Sequence, residues 1–206
     1  MNLPALYPIL NVDNDRNAMD RARQLISGEC SLLQLRAKEI ADRLFLDFCR
    51  QVVELARRPG AQKTRIIIND RMDLALLSGA DGVHLGQDDL HPAAVRSLLG
   101  TSAIIGFSTH SVEQALSAPR EADYLGFGPV FQSPTKQGHA EVTGLEQLRA
   151  VCSACTRPIV AIGGITASRA PDVFAAGACS VAMISELSKA RDVGELCRQI
   201  EEVRAP

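Results

Sequence analysis

Two apolar runs of this 206-residue chain each end in a carboxylate. Ile66-Ile67-Ile68 runs into Asn69-Asp70, and Gly82-Val83-His84-Leu85 runs into Gly86-Gln87-Asp88-Asp89. Acids at the exits of buried strands can hold a hard divalent cation. Magnesium takes one or two such carboxylates, keeps waters and shares phosphate oxygens. The same acids can also do local work, Asp70 as the cap of a helix starting near Arg71 and Asp89 in the turn before Pro92. From these two residues alone both readings stand.

Other stretches carry anion chemistry. In QLRAK, residues 34–38, Gln34, Arg36 and Lys38 alternate and therefore share one face of a strand and its exit. An arginine on the inner face of a closed sheet is costly unless an anion meets it. The long polar segment from Pro129 to Thr143 carries Ser133, Thr135 and Lys136, residue types suited to phosphate contacts. Two later apolar runs exit through Gly163-Gly164 and through Ile184-Ser185. Glycine lets backbone N–H groups approach an anion, and a helix start adds a favourable dipole. His84 lies alone in an apolar run and reads first as a satisfied core residue. Ser108 and His110, in GFSTH, lack the nucleophile elbow of a Ser–His hydrolase and read as polar contacts to a substrate, while His139 reads as a solvated loop residue.

These residues need elements to position them. Short apolar runs recur at Leu6–Val12, Leu32–Leu35, Arg65–Ile68, Gly82–Leu85, Ala103–Phe107, Tyr124–Phe127, Ile159–Ile162 and Ser180–Ile184. They lack clean polar alternation, as strands buried on both faces do. Helical spacing fills the intervals at 16–27, 42–58, 71–79, 92–99, 111–118, 145–155, 167–176 and 187–203. Eight strand–helix units predict a single compact (β/α)8 TIM barrel, an α/β fold, as one domain over residues 1–206. Chemistry in such a barrel sits on the loops after the strands, so Asp70 and Asp89 should exit neighbouring strands ~4.8 Å apart. Loops after the seventh and eighth strands frequently hold phosphate. Two anion sites and one metal site on one barrel face imply an enzyme handling two phosphorylated compounds, or one bearing phosphates at both ends.

Composition excludes other classes. A formal charge of −2 argues against a nucleic-acid surface. No apolar stretch approaches the ~20 residues of a membrane span, and MNLPALYPIL lacks the basic flank of a secretory signal, so the expectation is a cytoplasmic protein. The six cysteines, including the lone Cys152–Cys155 pair, lack zinc spacing and read as reduced packing residues.

QLRAK, IIINDRMDLAL, GADGVHLGQDD, GFSTH, GFGPVF with SPTK, AIGGIT and VAMIS stand in order along the chain. From about Leu6 to Leu187 the chain resembles the thiamine phosphate synthase family. The resemblance implies a transferase that joins hydroxymethylpyrimidine pyrophosphate to hydroxyethylthiazole phosphate, with thiamine phosphate and pyrophosphate as products. It implies Mg2+ on Asp70 and Asp89. Gln34, Arg36, Lys38, Asn69, Ser108 and Lys136 match residues that hold the pyrimidine pyrophosphate, with Arg36, Lys38, Ser108 and Lys136 in catalytic roles. Ser133 and Thr135, with the backbone around Gly164, Ile184 and Ser185, match the thiazole phosphate site. Two positions depart from the family pattern. Ala37 replaces a usual acid, and Ser133 replaces a common threonine. The implied partners are small phosphorylated substrates, with self-association left open. Competing readings are a thiazole tautomerase on the same barrel, which should work without metal, a non-catalytic phosphate-ligand regulator, and a sugar-phosphate epimerase, for which no acid/base pair stands out.

Overall fold

The computed structural model of the protein describes residues 2–13, 15–28, 30–59, 63–132 and 141–204. Eight parallel strands close into a barrel in chain order: β1 Leu6–Asn11, β2 Leu32–Arg36, β3 Arg65–Asn69, β4 Gly82–Leu85, β5 Ile104–Thr109, β6 Tyr124–Phe127, β7 Ile159–Ile162 and β8 Ser180–Met183. Closure comes from β1 pairing with β8, Leu6 opposite Val181. Around it run α1 Ala18–Ser27, α2 Asp42–Ala56, α3 Met72–Ser78, α4 Pro92–Leu99, α5 Val112–Ser117, α6 Gly144–Ala154, α7 Ala170–Ala175, α8 Ser185–Lys189 and α9 Val193–Arg204. The strands fall where the apolar runs predict them, several ending one or two residues later.

Period-two alternation divides the strands between two cores, β4 alone giving the inner one no apolar side chain. Leu33, Leu35, Ile66, Ile68, Val83, Leu85, Ile105, Phe107, Leu125 and Phe127 face outward and pack under the helices. Tyr7, Ile9, Leu32, Ile67, Ile104, Tyr124, Val160 and Ala182 fill the lumen. Full burial of a Leu or Ile contributes about 1.5–3 kcal/mol, so both layers stabilise the closed sheet. The unbroken apolar look of the strands follows from burial on both faces.

Two lumen positions need glycine because large rings come close. A Cβ on Gly106 would lie 2.2 Å from Tyr124 Cζ and 2.3 Å from His84 Nδ1. A Cβ on Gly126 would lie 3.1 Å from His84 Cε1. The glycines on β5 and β6 therefore open the space that His84 and Tyr124 fill.

Two expected helices differ, and the one over 167–176 opens as a 3-10 turn, Ala167–Arg169, before α7. The helix predicted over 187–203 is two helices, α8 and α9, broken at Ala190–Asp192. Asp192 caps the second, its Oδ1 accepting the Glu195 N–H at 3.0 Å. Asp192-Val193-Gly194-Glu195 has the spacing of a capping box, so a local start signal overrides the continuous helical period. No helix among the described residues is long and apolar enough to cross a membrane. All six cysteines are free thiols; Cys30 and Cys49 are buried, which pushes each up to about 12, whereas Cys179 is exposed.

Candidate active site

The last inward-facing residue of β1 to β5 is polar in every case: Asn11, Arg36, Asn69, His84 and Ser108 follow the inner face of their strands to the barrel mouth. Strand register sets these neighbours side by side, Asn11 opposite Arg36 and Asn69 opposite His84. On β7 and β8 the corresponding positions, Ile162 and Ile184, are apolar and pack against the lumen core. The mouth thus has a polar, charged half and an apolar half.

The charged half is built from three loops. Arg36 Nη1 donates to Asn11 Oδ1 at 2.8 Å, which holds the guanidinium on the inner face. Asp13 accepts the backbone N–H groups of Lys38 at 2.8 Å and Glu39 at 2.9 Å, pinning the turn after β2. Lys38 Nζ is ion-paired and hydrogen-bonded to Asp70 Oδ2. Asp70 itself adopts φ 61°, the left-handed region, with its N–H donating to the His84 carbonyl at 2.7 Å. For a non-glycine residue that conformation costs on the order of 1 kcal/mol or more and needs surrounding structure to hold it.

Asp70 does not cap α3. That helix has Arg71 at its N-cap and no side-chain capping bond. Arg71 instead bridges two helix starts, with Nη1 2.6 Å from Asp42 Oδ1 and Nη2 2.6 Å from Asp73 Oδ2. The guanidinium holds both carboxyls below the usual carboxylate range. Asp89 does stabilise its turn, its Oδ2 accepting the Gly86 N–H at 2.6 Å. Burial pushes its carboxyl up and the neighbouring Asp70 adds to this, against the lowering effect of the Gly86 N–H. The two acids are therefore close enough to feel each other, and Lys38 is the cation beside them.

Ser108 Oγ lies 2.9 Å from His84 Nε2, and Gln87 Nε2 donates to the Ser108 carbonyl. Gln34, in contrast to the partly exposed Arg36, is 2% exposed and its amide donates to Tyr7 Oη at 3.1 Å. His110, just past β5, is exposed, its Nδ1 2.6 Å from the Gly128 carbonyl.

Across the mouth, Gly163 and Gly164 adopt φ 100° and 62°. The segment after β6 presses on them. Val130 N–H donates to the Ile162 carbonyl at 2.9 Å, Phe131 N–H to the Gly163 carbonyl at 3.0 Å, and a Cβ on Gly164 would lie 2.4 Å from the Gln132 oxygen. Arg169 braces this contact, donating to the Gly164 carbonyl at 2.6 Å with its guanidinium 4.7 Å from the Phe131 ring centroid. Ile184 and Ser185 open α8 beside it. Thr143 N–H donates to the Pro129 carbonyl at 2.8 Å, so the two ends of the long polar segment are stitched together. Ser133, Thr135, Lys136 and His139 lie outside the described residues.

The structure thus gathers Arg36, Lys38, Asn69, Asp70, Asp89 and Ser108 on one half and Gly164, Ile184 and Ser185 on the other. Sequence reasoning missed Asn11, Asp13, Tyr7 and Tyr124. For the first two the signal was their place at the end of β1. The tyrosines gave none beyond being the polar members of apolar runs.

The family model for thiamine monophosphate synthase matches residues 6–187 of this chain. The chain belongs to the thiamine monophosphate synthase family. The thiamine-phosphate synthase of Laribacter hongkongensis is 43% identical over 175 residues, covering 85% of this chain and 82% of the relative. That of Chlorobium luteolum is 40% identical over 203 residues, covering 97% and 94%. Among solved structures, thiamine phosphate pyrophosphorylase from Pyrococcus furiosus superposes with a TM-score of 0.86 at 31% identity, covering 98% of this chain and 96% of that one. The (S)-3-O-geranylgeranylglyceryl phosphate synthase of Thermoplasma acidophilum, at 14% identity and a TM-score of 0.71, shares the barrel fold. As a member of the thiamine monophosphate synthase family, the protein is an enzyme of the transferase class.

Proposed function

We infer that the protein condenses hydroxymethylpyrimidine pyrophosphate with hydroxyethylthiazole phosphate, releasing pyrophosphate and forming thiamine phosphate, within one barrel domain. The observation that carries this reading is the cluster of Arg36, Lys38, Asp70 and Asp89 from three adjacent strand exits, set opposite an apolar, glycine-bearing half. Two substrates with different anionic groups call for two such halves.

The donor set fits magnesium. Asp70 and Asp89 offer hard carboxylate oxygens brought together against their mutual repulsion, and Lys38 already stands against Asp70 as a cation would. Two carboxylates suffice for an ion that fills its remaining positions with water and phosphate oxygens. Held by Asp70 and Asp89, magnesium would neutralise charge developing on the departing pyrophosphate.

The chain's own groups do the rest. Arg36, held by Asn11, offers a fixed fork of donors to phosphate oxygens. Lys38 exchanges Asp70 for the substrate's phosphate when the site fills. Asn69 and Ser108 donate from the inner face, and Lys136, Ser133 and Thr135 would add contacts from the long loop. The leaving group departs from a pyrimidine-methyl carbon, and the thiazole nitrogen captures that carbon, so no strong general base is required. The stabilisation is electrostatic and in place before the reaction. Gly164, Ile184 and Ser185 receive the thiazole phosphate.

The test supplies both substrates with magnesium or with EDTA and oxidises any thiamine phosphate to fluorescent thiochrome. Magnesium-dependent product is expected. Absence of product with magnesium would overturn the reading, and chelator-resistant isomerisation of a thiazole phosphate would replace it with the tautomerase.

A further inference from the structure

Beneath the mouth, five side chains from five strands form one continuous hydrogen-bonded chain across the lumen. Gln34 on β2 donates to Tyr7 Oη on β1 at 3.1 Å. Tyr7 Oη lies 2.8 Å from Tyr124 Oη on β6. Tyr124 Oη lies 3.0 Å from His84 Nδ1 on β4, and His84 Nε2 lies 2.9 Å from Ser108 Oγ on β5. Gln34, Tyr7 and Tyr124 are 2%, 1% and 0% exposed. Tyr124 is wedged between its partners, edge-on to Tyr7 and stacked on His84 with ring centroids 5.5 Å apart.

The proton count gives this chain a direction. Each tyrosine has one O–H, and a neutral imidazole has one N–H. Gln34 donates to Tyr7, so the Tyr7 proton must go to Tyr124, its other partner among the described residues. The Tyr124 proton then goes to His84 Nδ1. The imidazole proton is left on Nε2, where it donates to Ser108 Oγ, and the Ser108 O–H is free to donate into the mouth. Any other assignment under this Gln34 orientation leaves a buried tyrosine O–H without an acceptor, which costs about 1–3 kcal/mol. Only a neutral ring leaves Nδ1 a lone pair to accept the Tyr124 proton.

We propose that Gln34, Tyr7, Tyr124 and His84 are positioning residues that set the proton of Ser108 as a donor toward the bound pyrimidine pyrophosphate. His84 does not act as an acid or base; it transmits an orientation, through its Nε2–H tautomer, from the bottom of the lumen to the mouth. Gln34, at the far end, and Ser108 are thereby linked although they share no contact. This assignment rests on the synthase reading for its consequence and on geometry for its wiring.

Two measurements test it. In 15N-histidine NMR of the whole wild-type protein at neutral pH, with His84 assigned by its loss in His84→Gln, the neutral Nε2–H tautomer is expected. A dominant Nδ1–H form or an imidazolium overturns the proposal. In kinetics, Tyr124→Phe removes the donor to His84 Nδ1 and is expected to lower kcat on the order of tenfold, with KM changing about twofold or less. On a Ser108→Ala background Tyr124→Phe should not lower kcat further. Losses that instead multiply with Ser108→Ala mean a merely structural role and overturn the proposal. If the wild-type protein yields no thiamine phosphate, the functional reading fails and the positioning role falls with it. The tautomer measurement still decides the wiring separately.

Discussion

Asp70 and Asp89 differ in how replaceable their carboxylates are. Asp70 sits at φ 61°, a conformation that asparagine tolerates well, so Asp70→Asn should keep the backbone in place. Asp89→Asn keeps an oxygen that can accept the Gly86 N–H. Each variant should therefore remain within about 1 kcal/mol of wild-type stability in urea unfolding while losing most of its turnover. A variant that unfolds would return that residue to a structural role. The left-handed Asp70 is also where sequence and structure part. A carboxylate after a strand was legible, but its aim at Lys38 rather than at α3 depends on a backbone turn that residue types alone do not announce. Lys38 in turn is placed by Asp13, from a different strand exit.

Among the elements, β5 and β6 show how a strand's missing side chains matter. Gly106→Ala would place a methyl group inside contact distance of both Tyr124 and His84, in a lumen with no room to yield. A loss of about 1–3 kcal/mol or more is expected in denaturant unfolding, together with a disturbed His84 ring. The starts of α2 and α3 are joined by Arg71 through Asp42 and Asp73. Both carboxyls are lowered by the guanidinium, so the clamp is present above their ordinary range and is lost as pH falls through their folded values. The stability gap between wild type and Arg71→Ala should accordingly be measurable at neutral pH and close in acid, below about pH 4. A gap that persists there would assign Arg71 to packing instead. Strand and helix positions were legible because their periods are local. The break before α9 is local too, in the Asp192–Glu195 capping pair, but it competes with an apolar spacing that runs straight through it.

For the whole molecule, fold and chemistry occupy different regions. The lumen and helix-facing cores hold the barrel together, whereas Asp70 and Asp89 lie at its rim. Chelation should thus abolish turnover yet leave the thermal transition of the ligand-free protein unmoved; a large downward shift in Tm would make the metal structural. The sequence by itself determined the eight alternating units, the inward row of Gln34 and Arg36, and the acids at two strand exits, because each follows from spacing within one strand. Only the tertiary structure decided the pairings: Asn11 with Arg36, Lys38 with Asp70, and Tyr7 with Tyr124, 117 residues away. Those contacts exist because closing the barrel fixes which inner faces meet across the lumen, and register between distant strands is not encoded in the period of any one of them.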